Sequence, residues 1–221
     1  MAPRLTASAR GLGIVAALCT VFLMVAYAIT LAIGLLTLPS PQEPIADPYF
    51  SIMEILIILT APVMVALMAA VHAWSAPEYK IFSLMALLFM ALMTGLTCGL
   101  HFVILTLGRQ SEFTAQPWLP LFLEFRWPSV VYALDILAWD VFFPLAVLCA
   151  APVFRGGRLA SSIRMLLVTS GILALGGLLG VVASDMQLRN IGIVGYVGVF
   201  TVAAMLLAVL FHRAAPQEPL P

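Results

Sequence analysis

The chain has 221 residues, of which 63% are hydrophobic and 9% charged, with a formal net charge of zero. Soluble domains carry about 25% charged residues, so this composition excludes a water-exposed globular surface and points to a bilayer as the solvent. There is no basic tract, so nucleic-acid binding has no electrostatic footprint.

A helix needs about 20 apolar residues to cross the hydrocarbon core, and six segments qualify. They run over 11–38, 49–74, 82–107, 129–154, 159–184 and 191–211. Long uninterrupted apolar runs read as helices, not as the short alternating strands of a barrel. The expected fold is an all-α integral membrane protein, a multi-pass bundle of six transmembrane helices. A segment over 1–10 precedes the helical domain (11–212) and a tail over 213–221 follows it. The first segment also has the arginines and the Ala26-Tyr27-Ala28 pattern of a signal peptide. Its apolar run, however, continues to Leu38, past the 7–15 residues of a signal core, and we read it as an uncleaved helix.

The positive charges orient the bundle. With the N-terminus inside, seven basic residues (Arg4, Arg10, Lys80, Arg155, Arg158, Arg164, Arg213) face the cytoplasm, and three (Arg109, Arg126, Arg189) lie outside. That asymmetry predicts an N-in/C-in topology. Trp74 and Tyr79 suit the inner rim, and Tyr49, Trp118 and Trp127 the outer rim. Nine arginines against a single lysine indicate a GC-rich bacterial genome, hence a bacterial inner (cell) membrane. Gly95/Gly99, Gly176/Gly180 and the Gly192, Gly195, Gly198 series predict close helix packing, with the fifth and sixth helices as neighbours. Inverted-repeat transporters divide into matching halves; these halves share no pattern.

Ionisable side chains in hydrocarbon are costly, usually face the protein interior and often matter. Here they are Glu54, His101, Asp135 and Asp140. Glu54 is five residues past Tyr49, or about 7–8 Å below the rim at the helical rise. All four fall in the outer half or near the midplane, which predicts one outward-opening polar pocket between helices two, three and four. Thr94, Thr97, Cys98 and His101 form one stripe on the third helix. Tyr132, Asp135 and Trp139 share a face of the fourth. Asp140 lies about 140° around an ideal helix from Asp135 at 100° per residue, so the two aspartates are not expected to act as a pair. Pro62 and Pro144 each deprive a carbonyl four residues earlier of its donor, a common feature at cavity edges in membrane proteins. The 109–127 connection reads as an interfacial loop, aromatic side down. Asp185 and Arg189 read as an ordinary turn, and Cys19, Cys98 and Cys149 as small apolar residues.

Glu54, Asp135 and Asp140 are thus the candidate acid/base groups, and His101, Thr97, Tyr132, Trp139 and Phe143 the candidate ligand contacts. The expected role is binding or converting a lipophilic small molecule. The alternatives are a non-catalytic membrane subunit or assembly factor, and a small proton-coupled transporter. Besides that molecule, membrane lipids are the expected partners. No cofactor or metal is called for: there is no HExxH, GxSxG or P-loop pattern and no mid-depth lysine for a Schiff base. The histidines are scattered, unlike zinc ligands. Whether the chain is an enzyme is not decided at this level.

Overall fold

The computed structural model describes residues 5–40 and 43–214. The expected terminal segments therefore lie partly outside the described residues, and Arg4, Pro41 and Gln42 wholly so. Six helices are long and apolar enough to cross a membrane: α1 (Ala7–Leu36), α2 (Tyr49–Trp74), α3 (Pro77–Arg109), α4 (Val130–Val153), α5 (Gly157–Ala183) and α6 (Met186–Arg213). No strand occurs among the described residues. Each helix packs on the next in sequence, and α6 returns to α1, closing a ring.

Local chemistry sets several boundaries. The Thr6 side chain caps α1, accepting from the Ala9 amide at 3.2 Å, a standard N-cap role. Gly156 and Gly157, at φ +79° and +77°, make the turn into α5, which L side chains rarely adopt. At the far end of α6, Arg10 donates from Nε to the Phe211 carbonyl at 3.1 Å and from Nη2 to the His212 carbonyl at 2.6 Å. Last-turn carbonyls are short of helical donors, so Arg10 clips α1 to the end of α6.

The ring is filled by Met24, Met64, Met68, Met90 and Met93, with Phe143 and Phe200, all fully buried. Unbranched methionines suit the irregular space between tilted helices. The expected α5–α6 contact is tight: a Cβ on Gly195 would lie 2.8 Å from the Ser170 carbonyl, and the Ser170 hydroxyl donates to the Gly195 carbonyl at 2.9 Å. Gly95 and Gly99 differ from expectation. Both are exposed on α3, with nothing within 4 Å of an added Cβ, so they make no close packing contact within this chain.

The two prolines act differently from each other. Pro62 lies inside α2, and the Ile58 carbonyl it frees accepts from the Cys98 thiol at 3.7 Å, while Thr94 donates to the Ala61 carbonyl at 2.9 Å. This proline joins α2 to α3 rather than edging a cavity, and Cys98 is a hydrogen-bond donor as well as an apolar filler. Pro144 follows a widened π-turn over Leu137–Phe142, in which the Phe143 amide donates to the Ala138 carbonyl. A proline ring crowds the carbonyl four residues earlier; an extra residue in the preceding turn relieves that clash. A second π-turn, Val194–Val199, lies in α6.

Candidate functional site

At the end of the bundle that carries the 109–127 loop, a cavity of about 920 Å³ opens between α1, α2, α3, α4 and α6. It is wider than the expected α2–α3–α4 pocket because α1 contributes Met24, Tyr27 and Leu31, and α6 contributes Arg189, Ile193, Tyr196 and Val197. The loop forms part of its wall through Thr114, Leu119, Pro120, Leu123, Glu124 and Phe125. Ser129 fixes that arrangement: it caps α4 by accepting from the Tyr132 amide at 3.2 Å and donates to the Glu124 carbonyl at 2.6 Å. Phe125 is thereby set against Tyr132 and His101, with ring centroids 5.2 and 5.5 Å away.

The base of the cavity is a continuous chain of ionisable side chains drawn from four helices. His101 Nδ1 lies 2.7 Å from Glu54 Oε2, and His101 Nε2 lies 3.4 Å from Asp135 Oδ1. Arg189 donates from Nη2 to Asp135 Oδ2 at 2.6 Å and from Nε to Asp140 Oδ2 at 2.8 Å. None of the five is more than 6% exposed. Buried charges persist when paired and hydrogen-bonded, and here each carboxylate faces a cation or an imidazole.

The structure therefore joins Asp135 and Asp140 through one guanidinium, where an ideal helix would set them apart. The reason is the π-turn. Its hydrogen bonds close from i to i+5, so the added residue brings Asp140 back beneath Asp135. Two glycines make room for it. A Cβ on Gly177 would lie 2.6 Å from Asp140 Oδ1, and one on Gly192 2.7 Å from the same atom. Glycine is required at both points by this close approach.

Arg189 is the residue that the turn assignment missed. It is buried, sits at the start of α6, and its guanidinium carbon lies 4.7 Å over the Tyr132 ring. Among the other expected contacts, His101, Tyr132 and Trp139 line the cavity, as do Glu54 and Asp135. Asp140 lies below the wall. Thr97 points away, its hydroxyl 3.4 Å from Met93 Sδ. Phe143 is fully buried under the floor, packed on Trp139, Tyr196 and Phe200 at centroid distances of 5.8, 6.0 and 5.2 Å. Trp139 and Tyr196, one from each π-turn, meet at 5.0 Å. No group of three His, Cys, Asp or Glu side chains with metal-holding geometry occurs among the described residues.

At the rim, Arg109 Nη2 pairs with Asp47 Oδ2 at 3.1 Å, and both join Ser51. The Ser51 hydroxyl, and then Arg109, hold the Asp47 carboxyl below its ordinary value. This latch ties the start of α2 to the end of α3. No protein-family model, curated protein or solved structure matches the chain.

Proposed function

We propose that this chain is an N-in/C-in protein of a bacterial inner membrane, and that its cavity binds or converts a lipophilic small molecule entering from the outer side. Ligand sites are typically apolar concavities with a few convergent polar groups. The observation that carries the reading is the Glu54–His101–Asp135–Arg189–Asp140 chain at the base of an aromatic and aliphatic cavity. A structural network alone needs no 920 Å³ space beside it.

The roles divide by position. Glu54 and Asp135 line the cavity and share His101 between them, an arrangement able to give and take a proton from a bound molecule. Asp140 lies out of reach of such a molecule and acts as a positioning residue for Arg189. Trp139, Tyr196 and Phe125 supply the flat apolar wall. A relay spanning the membrane is disfavoured, because the cluster sits at one end and the bundle centre is filled by methionine and phenylalanine.

The test is ligand extraction. Wild type and a Glu54→Gln/Asp135→Asn variant are purified in mild detergent, and their co-purified small molecules compared by mass spectrometry. A discrete species enriched on the wild type is expected. Identical bulk-lipid profiles from two equally folded proteins would overturn the reading in favour of a non-catalytic subunit.

A further inference from the structure

The charges around the cavity do not balance. In the buried chain three carboxyl groups (Glu54, Asp135, Asp140) face one guanidinium and one imidazole. Even with His101 protonated, full ionisation leaves one negative charge without a partner. The rim does not correct this, since its two acids have cations of their own, Asp47 paired with Arg109 and Glu124 with Arg126. No lysine lines the cavity. An uncompensated buried charge is unfavourable, so the cluster holds either one extra proton or a cation supplied from the cavity.

The walls match the second possibility. Six aromatic rings line the cavity (Tyr27, Phe50, Phe125, Tyr132, Trp139 and Tyr196). Aromatic faces attract cations, and cages of such rings recognise quaternary ammonium groups. Polar atoms beside the cavity are also left without hydrogen bonds among the described residues. His101 Nε2 faces Asp135 Oδ1 at 3.4 Å without a hydrogen bond, although the residue is 3% exposed. Tyr196, at 8% exposed, makes no side-chain hydrogen bond among the described residues. On the Glu54 carboxylate, His101 engages Oε2, and among the described residues no side chain or amide hydrogen-bonds Oε1.

We propose that the cavity takes a lipophilic cation, an alkylated amine or quaternary ammonium compound, whose charge is held by Glu54 and the aromatic walls. This rests on the cavity's being a ligand site and names the class of ligand. Because the ligand and the surplus proton answer the same charge deficit, each cation bound displaces up to one proton, and binding tightens as pH rises. The same deficit rejects fatty acids and other lipophilic anions.

The test uses three probes of one shape and different charge on the purified full chain in a non-ionic detergent. They are tetraphenylphosphonium (cation), tetraphenylsilane (neutral) and tetraphenylborate (anion). Saturable binding of labelled tetraphenylphosphonium is expected, with proton release in weak buffer. Glu54→Gln is expected to weaken it by about tenfold, the scale of one lost charge contact. Phe125→Leu, which leaves the charged cluster intact, is expected to weaken it by about threefold. Competition by dodecyltrimethylammonium alone would mark a non-lipid alkylammonium cation as the ligand type. Equal competition by dodecylphosphocholine would mark a lipid headgroup. Saturable binding of the silane or borate in preference to the phosphonium would overturn the cation assignment while leaving the cavity a ligand site. Saturable binding of none of the three would overturn both.

Discussion

Arg189 hydrogen-bonds two carboxylates at once, and the cost of losing it follows from that geometry. Its two bonds, at 2.6 and 2.8 Å, reach Asp135 and Asp140 from different nitrogens. Lysine offers a point charge in place of this fork. Arg189→Met leaves two buried carboxylates without their cation and is expected to destabilise the protein by about 3–5 kcal/mol, read as a lowered melting temperature in detergent. An unchanged melting temperature would mean that the two aspartates are hydrated rather than paired. Gly192→Ala puts a methyl 2.7 Å from Asp140 Oδ1 and is expected to cost about 1–3 kcal/mol. Gly198→Ala, where nothing lies within 4 Å, is expected to be neutral or stabilising, and thermal unfolding of the two variants side by side checks the contrast. The acids were legible in the sequence because intramembrane carboxylates are rare and cannot snorkel far. Arg189 was not, because an arginine beside Asp185 at a helix start looks like a surface turn. The missing signal was stoichiometric: three acids and one histidine at one end of the bundle require another base, and only Arg109, Arg126 and Arg189 are available there.

At the scale of elements, what brings the site together is irregularity. A 100° per residue projection separates Asp135 from Asp140, and the π-turn over Leu137–Phe142 reunites them. Pro144 was the visible trace of that turn, but a proline reports strain in the preceding turn without saying how it is relieved. Pro62 shows the other outcome, a freed carbonyl taken by a neighbouring thiol. The short π-turn in α6 had no sequence mark beyond the glycines around Tyr196. The 109–127 loop, expected from its composition to be an interfacial segment, forms cavity wall, because Ser129 pulls Glu124 and Phe125 inward. The rim latch gives a pH test. The Asp47 carboxyl is held below its ordinary value in the folded protein, so its contribution is present above the unfolded value, about 3.9, and is lost as pH falls through the folded one. Half-exposed pairs contribute under about 1 kcal/mol. Asp47→Asn is therefore expected to lower the melting temperature slightly at pH 7 and to leave it unchanged near pH 2. A difference that persists at pH 2 would show that the latch acts by shape rather than by charge.

For the whole molecule, the six apolar runs follow directly from hydropathy, and the α5–α6 contact from the short link between those helices, since helices joined by tight turns pack as neighbours. The cavity was only half legible. Depth counting placed its acids at one end, yet the share taken by α1 and α6 depends on how the ring closes, which no single helix records. The topology is tested in cells by single cysteines in a cysteine-free background. Gln116→Cys in the loop is expected to react with a membrane-impermeant maleimide from outside, and Arg158→Cys at the α4–α5 turn to be protected; the reverse pattern would invert the bundle. The central claim, that the space above the charged chain holds a molecule, is tested most directly by filling that space without touching the charges. Leu31 lines the cavity from α1, and Leu31→Trp adds bulk there. Native mass spectrometry of the wild type is expected to show a stoichiometric small-molecule adduct, and of a folded Leu31→Trp variant to show its loss. An adduct retained at equal occupancy by both proteins, or absent from both, would contradict the account.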